Sequence, residues 1–145
     1  MQIAMYKGPP RDDSGHKIGH ALTCWWTKSI YSHCELVIND VCYSASARDG
    51  GVRSKMIDLA SGRWDVFALP DATPQAELQA LRWFAMHDGQ PYDWGGLLGF
   101  VLPFRTHRTR RWFCSEAVAA ALELPKPERM TPQLLLSTLK NGGLL

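Results

Sequence analysis

The stretch from His33 to Ala47 constrains the fold more than any other part of the chain. Val37 and Ile38 on one side and Val41 and Tyr43 on the other have strand character, and Asn39-Asp40 between them suits a two-residue hairpin turn. If that turn holds, Ile38 pairs with Val41, Glu35 falls opposite Ser44 and His33 opposite Ser46. Side chains alternate along a strand, and directly opposed partners point the same way. One sheet face then carries His33, Glu35, Ser44 and Ser46, and Cys34, Leu36 and Ile38 turn to the other face, into a core. A register slip of one residue would exchange the two sets. The polar face has two readings. It is either the solvated side of an antiparallel sheet or a base with its orienting partner.

The remaining segments follow a strands-first, helices-later order. Residues 2–6 read as a short strand, residues 8–15 as a Pro/Gly-rich loop, and Ile18, Ala21, Leu22 and Trp25 as a weak helical face. A second strand pair is expected over residues 52–57 and 64–69, with Ser61-Gly62 turning between them. Thr73-Pro74 and Thr131-Pro132 each place a capping hydroxyl before a proline, a helix start. Leu78, Leu81 and Ala85 mark the face of the first helix, which Gly89 ends; Leu135 and Leu139 mark the other, ending near Gly142. No linker or repeat interrupts the 145 residues, so one domain over residues 1–145, of α+β class, is expected. Six tryptophans suit a dense core or an aromatic-lined groove.

Between these helices, Cys114 stands where another helix begins, after Trp112-Phe113 and before an alanine-rich run that stops at Pro125. The N–H groups and partial positive charge of a helix start favour thiolate over thiol, and the thiolate is the nucleophile. Such a thiol needs a base. Of the five histidines, His16, His20, His87 and His107 lie in loops or near a helix end, and His33 opens a strand beside Glu35. Glu35 is the stronger orienting partner by charge; Ser46, and with it Ser44, is a weaker acceptor. Cys24, Cys34 and Cys42 read as small buried hydrophobes. Glu116 suits the first turn of the Cys114 helix as an acid against the dipole.

The motifs Tyr31-Ser32-His33-Cys34-Glu35-Leu36-Val37-Ile38, then Tyr92-Asp93-Trp94 with two glycines, then Trp112-Phe113-Cys114-Ser115-Glu116, in this order, resemble the circularly permuted papain-like hydrolases. These are relatives of the NlpC-type cell-wall peptidases and of the lecithin retinol acyltransferase group. The histidine strand precedes the cysteine helix, as in the permuted branch, and the segment from Ser44 to Arg53 is similar to small phage-encoded members. The resemblance implies a papain-like fold, a small antiparallel sheet packed on the cysteine helix, with Cys114 as nucleophile and His33 as base. Relatives often carry the third polar residue on the next strand, which here offers only Ser44 or Ser46. Tyr92, Asp93, Trp112 and Arg111 are candidates for substrate binding, with core packing or capping as their plainer roles.

The implied reaction is acyl transfer through a thioester, on cell-wall peptide or on an acyl ester; a non-enzymatic phage component keeping the fold is the remaining alternative. No C-x-x-C pair or cofactor motif is present, so neither a metal nor a cofactor is expected. A net charge of +2 is too small to imply a nucleic-acid partner by itself, and none is expected. The arginines among residues 105–111 suit a solvated loop or an anionic substrate. The first ten residues lack a signal-peptide layout, and residues 97–104 are too few to span a bilayer. A chain made in the cytoplasm is expected, with release by lysis or carriage in a particle compatible with that origin.

Overall fold

The computed structural model describes residues 1–7, 30–94 and 110–143. The loop over residues 8–15, the face of Ile18 and Trp25, His16, His20, Cys24, His107, the apolar stretch 97–104 and Arg105 to Thr109 lie outside the described residues. The described chain is α+β: a five-stranded antiparallel sheet and three α-helices. The strands are β1 (Gln2–Tyr6), β2 (His33–Ile38), β3 (Val41–Ser46), β4 (Gly51–Lys55) and β5 (Trp64–Ala68), in the order β4-β3-β2-β1-β5. The helices are α1 (Pro74–His87), α2 (Cys114–Ala121) and α3 (Pro132–Asn141), with a 3-10 turn at Pro127–Arg129.

The hairpin forms in the expected register, Ile38 opposite Val41 and Leu36 opposite Tyr43. Asn39 and Asp40 both take positive φ, 50° and 63°, the twist a two-residue turn needs to match its strands. Cys34, Leu36 and Ile38 enter the main core with Ile3, Met5 and Ala45, against Ala117, Val118 and Ala121 of α2 and Leu135 and Leu139 of α3. Seven of the eight α2 residues are buried. Alanine on nearly every side lets this helix be central, because it leaves little side chain between helix axis and sheet.

The expected pairing of residues 52–57 with 64–69 is not formed. β4 and β5 occupy opposite edges of the sheet, and β5 pairs with β1. Four antiparallel steps separate them, so they run in the same direction and no tight turn can join them. The connecting chain instead crosses the sheet face turned away from the helices. There Ile57, Leu59 and Trp64 pack on Ala4, Val37 and Cys42 in a second, smaller core. The polar residues of that face are not solvated either: Glu35 and Ser44 are fully buried.

The caps of α1 and α3 form as the threonines predict, Thr73 Oγ1 accepting from Ala76 N and Thr131 Oγ1 from Leu134 N, each at 3.1 Å. The buried face of α1, however, is Ala80 and Phe84, and Leu78 is 44% exposed. The aromatics turn the helix: Phe84 lies on Tyr43 at 5.4 Å, and Trp83 meets Trp112 edge-on at 4.8 Å. Of the expected face, Leu81 packs against the main core, and Leu78 and Ala85 are exposed.

A strap of backbone joins the sheet to the start of α2. Val52 N–H donates to Gln90 O at 2.9 Å and Tyr92 N–H to Gly50 O at 2.9 Å, closing the outer edge of β4. Trp112 N–H then donates to Pro91 O at 3.2 Å and Asp93 N–H to Trp112 O at 3.1 Å. Gly51 is the pinch point, for a Cβ there would stand 2.0 Å from Gln90 O. Gly51→Ala is therefore expected to cost about 1–3 kcal/mol, as overpacking does, read as a lowered chemical-denaturation midpoint. A change under 0.5 kcal/mol would show that the strap gives way freely.

Candidate active site

Cys114 opens α2 and has no exposed surface. Phe113 takes the cap position in an extended conformation, and its N–H donates to Glu116 Oε2 at 3.3 Å, so the first-turn acid closes the helix start from within. Ser115 Oγ donates to Met130 O at 2.6 Å and ties α2 to the turn before α3. Facing the helix start is the beginning of β2, with Cys34 and His33.

The thiol and the imidazole act on one another. Burial by itself would raise the Cys114 pKa. A hydrogen bond from the Cys34 thiol, the charge and hydrogen bond of His33, and the Cys34 backbone N–H outweigh it and bring the group down to about 5. Burial would likewise lower His33; the charges of Cys114 and Glu35, and hydrogen bonds to both, raise it to about 9. Between those values the pair holds thiolate beside imidazolium. The Cys34 thiol moves the other way, pushed well up by burial and by the neighbouring Cys114 sulfur, and stays a donor.

His33 and Glu35 are neighbours on one strand face. Nε2 of His33 meets Glu35 Oε1 at 2.7 Å, which leaves Nδ1 as the ring nitrogen for the thiol proton. Trp64 stands edge-on to the imidazole at 6.3 Å. Glu35 in turn receives both terminal nitrogens of Arg53, Nη1 reaching Oε2 at 2.6 Å and Nη2 reaching Oε1. Burial would raise the Glu35 carboxyl; the Arg53 hydrogen bonds and the His33 charge overcome it and hold the pKa below the ordinary value. Behind Arg53 stands Asp49, whose Oδ2 accepts from Arg53 Nε at 2.8 Å and from Lys55 Nζ at 2.5 Å.

The other sequence candidates fall in different places. Ser44 Oγ donates to Cys34 O at 2.7 Å, and Ser46 Oγ accepts from Asp49 N–H at 3.3 Å; among the described residues neither bonds the imidazole. Tyr92 is buried close to the thiols, its phenol raised by burial and then by the charges of Cys114, Cys34 and Asp93. Asp93 is buried beside it. Trp112 packs with Trp83 and His87, and its indole N–H donates to Gln90 Oε1 at 2.7 Å. Arg111 is half-buried on the lead-in to α2.

Two residues of this arrangement escaped the sequence reading. Cys34 is more than core filling, because it bonds the candidate nucleophile. Its signal was position, next to His33 on the helix-facing side of the strand. Arg53 is set by strand geometry, β3 and β4 holding it opposite Ser44, which the hairpin in turn sets opposite Glu35; the expected pairing of residues 52–57 with 64–69 hid it. Cys34→Ala is expected to raise the Cys114 pKa by about one unit by removing one donor to the thiolate, seen as a shifted thiolate absorbance titration. An unmoved titration would discard the donor role. Comparison of the sequence with protein-family models and with curated proteins finds no match.

Proposed function

We propose that this chain is a cysteine hydrolase of the permuted papain-like kind, cleaving an amide bond of cell-wall peptide by acyl transfer to Cys114. The observation that carries the reading is a row of side chains: the buried Cys114 thiol at the start of α2, hydrogen-bonded to His33 and to Cys34, with the Glu35 carboxylate 2.7 Å from the far ring nitrogen of His33, an arrangement that draws the thiol pKa down and the imidazole pKa up. A structural cysteine buried in apolar surroundings moves the opposite way, as Cys42 does, pushed up to about 11 chiefly by burial.

The chemistry follows from the groups present. The Cys114 thiolate adds to the substrate carbonyl, and the backbone N–H of Cys114, at the start of α2, donates to the oxyanion. The His33 imidazolium gives its proton to the departing amine, leaving a thioester. Neutral His33 then takes a proton from water, which attacks the thioester and releases the acid. Glu35 keeps the ring oriented throughout. Activity depending on the ion pair rises through the Cys114 value, about 5, and falls through the His33 value, about 9.

The test is product analysis by mass spectrometry after incubation with purified sacculi and, separately, with acyl esters. Muropeptide release is expected. Ester cleavage without muropeptides would move the substrate to acyl lipids, and no product from either would favour a binding module.

A further inference from the structure

The orienting group of this site is a buried carboxylate, and a buried carboxylate next to a thiolate poses a charge problem. Glu35 is fully buried, and its charge reaches the neighbouring thiols, contributing to the upward shifts of Cys34 and Cys42. An uncompensated carboxylate there would oppose the second negative charge that Cys114 must carry. Arg53 meets it with a two-pronged contact, and the Arg53 side chain is itself only 13% exposed. That geometry fixes both oxygens and leaves Oε1 shared between guanidinium and imidazole.

Resting on the reading of Cys114 and His33 as the reacting pair, we propose that Arg53 is the positioning residue of the site: it clamps Glu35 for His33 and cancels the carboxylate's charge, so that thiolate and imidazolium coexist within a quartet of side chains whose charges sum to zero. The count is direct. Thiolate, imidazolium, carboxylate and guanidinium sum to zero, and protonating the thiol leaves one positive charge. Without Arg53 the same two states carry one negative charge and none, and a buried site resists the former. Removing Glu35 together with Arg53 restores the original count. The surrounding groups do not replace Arg53: Asp93 on the strap and Glu116 in the first turn of α2 are further carboxyl groups, which cannot supply a positive charge and are common to every variant compared. Asp49 behind Arg53 is matched by Lys55, Cys34 and Cys42 stay protonated, and the Tyr92 phenol facing the thiol from the strap is neutral because its pKa is raised.

The experiment titrates the thiolate by ultraviolet absorbance, with a Cys114→Ser protein as blank, and the imidazole by NMR, in the full chain. Wild type should show limits near 5 and 9. In Arg53→Met both limits should move up by about one unit. Arg53→Lys, which keeps the charge, should stay close to wild type, and Glu35→Gln/Arg53→Met should return the thiol limit to its wild-type place. Limits that do not move in Arg53→Met, or a double variant that does not restore the thiol, would overturn the proposal, because a merely structural arginine alters stability and not the titration. Should Arg53→Met not fold, Glu35→Gln supplies the test: it adds one net positive charge, so the thiol limit must fall, and an unmoved limit overturns the idea. A wild-type thiol with an ordinary pKa removes the enzyme reading and this proposal together. A low wild-type thiol with immovable variants removes this proposal alone.

Discussion

Cys114→Ala is expected to lower turnover of the substrate found with sacculi or esters by at least about 10³-fold, with the fold kept. The loss is large because the thioester route needs a sulfur at this position and no other described group replaces it. Cys34 is adjacent, but its thiol is held protonated chiefly by burial, which the substitution leaves in place. The fold survives because alanine at the first position of α2 suits both the helix and the alanine-rich packing of that element. The same substitution has a second readout. His33 loses the largest of the charges that raise it, so its pKa should fall from about 9 toward the ordinary value, leaving Glu35 as its remaining anion. Residual activity within tenfold of wild type would remove Cys114 from the mechanism. An unmoved His33 would show that the two groups do not share a proton.

How much of this was readable from sequence depends on the range over which each piece is encoded. The β2–β3 hairpin was legible to the residue, because Asn39-Asp40 sets the turn locally and two-residue periodicity carries the register outward. The starts of α1, α2 and α3 were legible for the same reason: a cap, a proline or a change of composition lies within a turn of each. The partner of β5 was not. Residues 56–63 look like a turn from within, and only the need to cover Val37 and Cys42 on the far face makes them a crossing. That need is tertiary, and so is the burial of the polar face, which periodicity could not distinguish from a solvated one. Glu35 followed from His33 by alternation. Arg53 needed one more strand of register, and Cys34 needed the approach of α2, which no local pattern encodes.

The largest stability effect is expected at Glu35. Glu35→Ala removes the acceptor of both Arg53 terminal nitrogens and of His33 Nε2 and leaves a nearly buried guanidinium facing a cavity, a change that typically costs about 3–5 kcal/mol. Asp49 softens the loss, since it still accepts from Arg53 Nε. Glu35→Gln should cost less, because its amide oxygen can still take the imidazole or the guanidinium. The pH dependence has a definite sign. The folded-state pKa of Glu35 lies below its ordinary value of 4.5, so the unfolded chain binds the proton more readily. Its stabilisation is therefore complete above about 4.5 and is lost as pH falls through the lower folded value. The gap between wild type and Glu35→Ala, measured by urea denaturation, should be widest near neutrality and narrow only in acid below that point. A gap that stays constant into strong acid would mean that packing volume, and not the carboxylate charge, is what the substitution removes.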